Sequence, residues 1–187
     1  DAAALTDAPQ GVLARADPIP EVPVERLLAA AAPFLVVLDG VTDPHNLGAV
    51  MRSALSAGGT GLVIGRHRAA RLTPAALKAG AGAAEYLPVA TVAGIPAALA
   101  ALAAAGVWTV GLDAGAPTTL WDLTVATEPV ALVLGAEGRG LGRLVRQRCD
   151  LVVDVPLLGP LDSLNVAAAA ALACFEVARK RATTRNN

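Results

Sequence analysis

The sequence predicts an α/β domain with a buried, mostly parallel sheet flanked by helices, and three observations support it. Short apolar runs of strand length recur along the chain, helical stretches separate them, and turn-forming residues follow the strand ends. Continuous apolar strands belong to sheets covered on both faces, and alternation with helices marks parallel crossover units. With 187 residues the chain is long enough for one domain with a full core.

Taken in order, residues 1–33 are punctuated by Pro9, Pro18, Pro20 and Pro23 before a short helical stretch at 24–32, and read as a linker or N-terminal extension. Strands are expected at Phe34–Leu38, Leu62–Ile64, Val107–Leu112, Val130–Leu134 and Leu151–Val155. Helices are expected at Leu47–Ser56, Ala75–Ala79, Ile95–Ala105, Leu141–Arg148 and Val166–Arg181. The last is almost free of polar residues as far as Val177, the pattern of a helix buried all round. Residues 34–183 then form the domain and 184–187 a tail.

Composition narrows the function. The chain is 55% hydrophobic, yet no run approaches the ~20 apolar residues that span a bilayer. Cys149 and Cys174 lack the spacing of a zinc site or a disulfide framework, so a reduced, cytoplasmic setting and no metal are expected. A net charge of −1 gives no global basic field for nucleic acid. The sequence starts at Asp1 without an initiator Met or a signal-peptide pattern, so upstream residues are expected.

Ligands of open α/β sheets sit beyond the carboxyl ends of the strands. Three such ends carry unusual residues. After the first strand comes Asp43-Pro44-His45-Asn46-Leu47-Gly48-Ala49-Val50-Met51-Arg52, with Asp43 placed to cap a helix. Asn46 and Arg52 fall on different faces of that helix, and taken alone Arg52 is a surface charge. After Val130–Leu134 comes Gly135-Ala136-Glu137-Gly138-Arg139-Gly140-Leu141-Gly142. A bare turn explains one or two glycines; four around a Glu favour a binding loop with exposed N–H groups. No Gly-Lys-Ser/Thr makes it a Walker loop, but Asp154 keeps a dinucleotide reading open. The third end leads through Val155-Pro156-Leu157 to Ser163-Leu164-Asn165 at the mouth of the apolar helix. Ser163 suits an N-cap and Asn165 a second helix-start bond, so capping and a site role both stand. Arg66, Arg68 and Arg71, beside His67, form a basic cluster of the kind that is usually solvated and can hold phosphates.

Together the three loops resemble motifs 1, 2 and 3 of the SpoU (TrmH) RNA 2′-O-ribose methyltransferases. Asp43-Pro44-x-Asn46-x-Gly48-Ala49-x-x-Arg52 carries the first. Leu132-Val133-Leu134-Gly135-Ala136-Glu137-Gly138-x-Gly140-Leu141 carries the second. Val155-Pro156-Leu157-x-Gly159 with Ser163-Leu164-Asn165-Val166 carries the third. Gly82-Ala83-Ala84-Glu85 and Phe175-Glu176-x-x-Arg179 look most like the branch methylating a guanosine of 23S ribosomal RNA. Departures are Ala167, where many relatives have Ser, and Pro9 in Pro9-Gln10-Gly11, where relatives have His.

The resemblance implies a SPOUT fold with a C-terminal trefoil knot, a homodimer, and S-adenosyl-L-methionine as cofactor. It also implies an upstream RNA-recognition domain that this sequence lacks. By matching position, Leu134, Gly135, Val155, Leu157 and Leu164 would hold the cofactor. Asn46, Arg52, Glu137, Ser163 and Asn165 would line the catalytic pocket. Arg66, Arg68, Arg71 and Arg139 are the candidate RNA contacts. In this family Arg52 is proposed to act on the ribose 2′-hydroxyl, but a guanidinium stays protonated in proteins, so charge stabilisation suits it better than base chemistry. The alternatives are the same chemistry on tRNA or for ribosomal antibiotic resistance, a dinucleotide oxidoreductase, and an inactive RNA-binding scaffold.

Overall fold

The computed structural model describes residues 17–185. Residues 1–16 of the expected N-terminal extension, with the Pro9-Gln10-Gly11 segment, and residues 186–187 of the tail lie outside them. Seven strands form one sheet: β1 (Phe34–Asp39), β2 (Gly61–Gly65), β3 (Val89–Val92), β4 (Trp108–Leu112), β5 (Thr118–Thr119), β6 (Val130–Gly135) and β7 (Leu151–Asp154). Their order is β3-β2-β1-β6-β4-β7-β5, and every pairing is parallel. The helices are α1 (Val24–Leu27), α2 (Pro44–Ser56), α3 (Pro74–Gly80), α4 (Ile95–Ala104), α5 (Arg143–Arg148) and α6 (Val166–Arg185).

The apolar strands are explained by two cores, one on each face. Phe34, Val36 and Leu38 of β1 pack with Leu47, Val50 and Met51 of α2 and with Ala170, Cys174 and Val177 of α6. Leu35 and Val37 point the other way, toward Leu99 and Leu102 of α4, Val145 of α5 and Leu27 of α1. Alternating side chains of one strand thus enter opposite layers, and none has to face water. The segment before β1 joins the second layer: Leu27 is buried, and the Val22 N–H donates to the Val89 carbonyl at 2.9 Å.

The chain steps outward from β1 to β2 and β3, then returns to β4, so the order reverses around β6. That reversal places a crevice at the carboxyl ends of β1, β6 and β4. Strand β7 inserts between β4 and β5.

Two expectations need correction. Strands β3 and β5 lie outside the expected set, β3 being only four residues long (Val89–Val92) and β5 only the pair Thr118–Thr119. Helix α6 is not buried all round. Leu172 is 43% and Phe175 51% exposed, beside Trp121 at 44% on the turn Leu120–Asp122. The opposite stripe, Val166, Ala170, Ala173, Cys174 and Val177, is buried. Further along α6, Lys180 donates to the carbonyls of Trp121 and Leu123, and Arg181 to those of Ala126 and Glu128. Among the described residues no helix is long and apolar enough to cross a membrane.

Candidate active site

The loops after β1, β6 and β7 meet at the carboxylate of Glu137. Asp43 caps α2, its Oδ1 accepting the His45 N–H at 2.8 Å, which sets Asn46 in the first turn. From there Asn46 Nδ2 donates to Glu137 Oε1 at 3.2 Å. Asn165 Nδ2 donates to the same oxygen, as does the Val166 N–H at 3.3 Å. Asn165 Nδ2 also reaches Asn46 Oδ1 at 3.1 Å. The mouth of α6 therefore faces a negative charge, the arrangement its unpaired N–H groups and dipole favour.

The cap on α6 is Asn165, not Ser163. Asn165 Oδ1 accepts the Ala167 N–H at 2.9 Å, while Ser163 is exposed on the wall of the adjoining cavity. Both residue types suit a cap; the helix starts at Val166, which leaves Ser163 too far upstream to serve it.

The loop after β6 folds tightly back on itself. Ala136 and Gly140 form an antiparallel bridge, and the Gly140 N–H donates to the Ala136 carbonyl at 2.9 Å. Gly135 is the point of closest approach: a Cβ there would stand 2.0 Å from the Gly140 carbonyl carbon. Gly138 and Gly140 have φ of 71° and 63°, the left-handed region glycine enters freely.

Beside this loop lies a cavity of about 400 Å³. Its wall includes Leu134, Gly135, Val155, Leu157 and Leu164, all five residues expected to hold a cofactor, together with Glu137, Arg139 and Ser163. The loop after β4 contributes as well, without a motif of its own to mark it. Leu112, Asp113 and Ala114 line the cavity, and Asp113 Oδ2 accepts Arg146 Nε at 2.5 Å. The available signal was an acid followed by Ala114-Gly115-Ala116-Pro117 at a fourth strand end. Asp154 and Asp162 complete an acidic lining of four carboxylates against the one guanidinium of Arg139. A pyrophosphate would be repelled there, which removes the support for a dinucleotide.

Arg52 stands apart from this network. It is exposed on α2, about 9 Å along the axis from Asn46 at 1.5 Å per residue. It does not line the cavity and forms no ion pair among the described residues. Arg66 and Arg68 are exposed on the loop after β2, two strands or about 10 Å from β6 on the same rim of the sheet. Arg71 is partly engaged, its Nη2 lying 3.0 Å from Glu21 Oε1. Burial pushes the thiols of Cys149 and Cys174 up to about 12, so neither supplies a thiolate near neutral pH.

A model of the SpoU rRNA methylase family matches residues 33–175. The chain belongs to that family. SpoU relatives include a Mycobacterium ulcerans protein described as an uncharacterized tRNA/rRNA methyltransferase, 44% identical over 178 residues, covering 93% of this chain and 57% of its own length. The 23S rRNA (guanosine-2′-O-)-methyltransferase RlmB of Photorhabdus laumondii is 43% identical over 178 residues, covering 93% of this chain and 72% of the relative. Among solved structures, the SpoU methyltransferase AviRb of Streptomyces viridochromogenes superposes with a TM-score of 0.81 at 29% identity, covering 90% of this chain and 67% of AviRb. A second AviRb structure, in complex with the cofactor AdoMet, gives 0.76 at 31% identity over 84% and 62% of the two chains. The parallel sheet and its flanking helices are thus those of the SPOUT methyltransferases. The chain spans little more than half, 57%, of the length of the mycobacterial relative.

Proposed function

We propose that this chain is the catalytic part of an RNA 2′-O-methyltransferase using S-adenosyl-L-methionine, acting on a guanosine of 23S ribosomal RNA. Residues 34–183 are the body of its catalytic domain, with α6 running two residues further to Arg185. Residues 1–33 are an N-terminal extension of which Val22 and Leu27 pack onto that body, and the cytoplasm is its compartment. The observation that carries this reading is the convergence of Asn46, Glu137 and Asn165 beside the cavity. Three loops far apart in sequence meet at one carboxylate.

The cavity fits the cofactor. Its volume of about 400 Å³ suits a nucleoside-sized molecule. Leu134, Val155, Leu157 and Leu164 offer apolar surface to an adenine, and the carboxylates of Asp113, Asp154 and Asp162 suit ribose hydroxyls and a positive sulfonium. The backbones of Gly135, Val155 and Leu164 are the holding groups. When bound, S-adenosyl-L-methionine supplies a methyl group already made electrophilic by its sulfonium.

The protein's task is then alignment of the 2′-oxygen with that methyl group. Asn46 and Asn165, locked by Glu137, fix the floor on which the ribose rests. Arg52 holds the substrate phosphate and stabilises the charge developing on the 2′-oxygen, staying protonated throughout, while the 2′-hydroxyl proton passes to that phosphate or to water as the oxygen takes the methyl group. Arg139, Arg66 and Arg68 carry neighbouring phosphates along the sheet rim, with Arg71 at its end. The segment from β7 to α6 completes a trefoil knot, a reading supported by the insertion of β7 between β4 and β5.

The chain works as a homodimer through the bare face of α6. Leu172, Phe175 and Trp121 line one shallow apolar groove, with Glu176 and Arg179 at its edge. Phe175→Glu is expected to convert the dimer to a monomer, read by light scattering during size-exclusion chromatography; an unchanged mass would remove this face as the interface.

Titration calorimetry with S-adenosyl-L-methionine and with NAD tests the reading directly. Binding of the first and not the second is expected, and binding of NAD alone would sink it. Arg52→Ala is expected to abolish methyl transfer to ribosomal RNA, with cofactor affinity changed by less than about threefold, since the side chain lies outside the cavity wall. Near-normal turnover in that variant would remove Arg52 from the mechanism.

A further inference from the structure

We propose that Asp39 is a positioning residue that sets the shape of the cavity wall without touching what the cavity binds. Strand β6 lies between β1 and β4, and the segment leaving it is gripped from both neighbours. On the β4 side the grip is the Asp113–Arg146 pair. On the β1 side, Asp39 Oδ2 accepts the Gly142 N–H at 2.8 Å, across 103 positions of sequence. Asp113 itself lines the cavity, so its removal would act on the contents directly. Asp39 does not line it, and can act only through the loop.

The loop from Gly135 to Gly142 has three fixed points. Its entry is closed by the approach of Gly135 to Gly140, its middle by the bonds to Glu137, and its exit by Asp39. Gly142 is the residue before α5, where an N–H without a helical partner needs an acceptor. The fit is close: a Cβ on Gly142 would lie 3.0 Å from Asp39 Oδ2, with its next neighbour at 3.9 Å. The Gly142 φ of −57° is one alanine adopts without strain, so Gly142→Ala disturbs chiefly the Asp39 contact.

The test uses the full chain, calorimetric titration with S-adenosyl-L-methionine, and amide hydrogen exchange of the 136–142 segment without ligand. It rests on reading the cavity as the cofactor site. Asp39→Ala is expected to weaken binding about tenfold and to speed exchange in the segment. Asp39→Asn, whose amide oxygen still accepts, is expected to stay within about twofold of the parent. Gly142→Ala is expected to weaken binding in the parent and to add little in the Asp39→Ala background. Asp39→Asn and Gly142→Ala keep the question open to test if Asp39→Ala does not fold.

Failure of the parent to bind the cofactor would overturn the functional reading, while the exchange data would still judge the anchor. Given a binding parent, unchanged affinity in Asp39→Ala overturns the proposal. Weaker binding with unchanged exchange also overturns it, because Asp39 would then act on the ligand itself. An Asp39→Asn variant as weak as Asp39→Ala overturns it too, by making charge rather than the acceptor decisive.

Discussion

Gly135→Ala is expected to weaken cofactor binding about a hundredfold while leaving a folded chain. An alanine Cβ at this position would fall 2.0 and 2.1 Å from the carbonyl carbon and oxygen of Gly140 and 2.4 Å from the Leu141 nitrogen. These are backbone atoms, so no side chain can rotate away. The returning arm of the loop must move by more than about 1 Å to restore ordinary contact distances, and displacements of that size in a binding site cost on the order of a hundredfold. The same overpacking is expected to cost roughly 1–3 kcal/mol of stability, seen as a lower but still cooperative thermal transition. Gly138→Ala is the informative comparison. Nothing lies within 4 Å of its Cβ, and only its φ of 71° opposes the change, so about 1–2 kcal/mol of local strain is expected with binding largely retained. Calorimetric titration of both variants separates the cases. Parent-like affinity in Gly135→Ala would show that this loop is not the wall of the binding cavity.

What the sequence revealed follows from how local each signal is. Five strands were legible because both faces of the sheet are covered, so Phe34–Leu38 is apolar without interruption. Strand β3, Val89-Ala90-Thr91-Val92, follows Pro88 and is too short to stand out, and β5 is only Thr118–Thr119. The α2 cap was legible because Asp43-Pro44 is a local pattern. The expected start at Val166 already made Asn165 the residue before α6, but whether its side chain or that of Ser163 bonds the first N–H groups depends on how the preceding turn runs, which no local pattern states.

Long-range facts were out of reach of local pattern. Asn46 and Asn165 are 119 positions apart, and only the family resemblance joined them before the fold did. Asp113 escaped notice because an acid before Ala114-Gly115-Ala116-Pro117 is an ordinary turn until the sheet sets β4 beside β6. In α6, an alanine-rich run hid which stripe is bare. Leu172 and Phe175 are three apart and share a face, which the tertiary packing leaves open.

Glu137→Gln is expected to lower the rate of methyl transfer about a hundredfold, with a much smaller change in cofactor affinity. A carboxylate can only accept, and Glu137 Oε1 receives Asn46 Nδ2, Asn165 Nδ2 and the Val166 N–H. That fixes which way both asparagine amides point, and the Ala167 N–H on Asn165 Oδ1 agrees with the assignment. Glutamine has two ways to fill the site, and both fail. With its amide nitrogen inward, donor meets donor and the asparagines must turn. With its oxygen inward, the bonds lose their charge assistance, roughly half their strength, and the start of α6 loses a dipole partner worth about 0.3–1 kcal/mol. In either case Asn46 is no longer held where the ribose must lie. Methyl incorporation into ribosomal RNA, measured as kcat and KM beside a calorimetric Kd, reads the two quantities apart. A fall in kcat with little change in Kd places Glu137 where the three loops join, whereas equal losses in both would make it a cofactor contact.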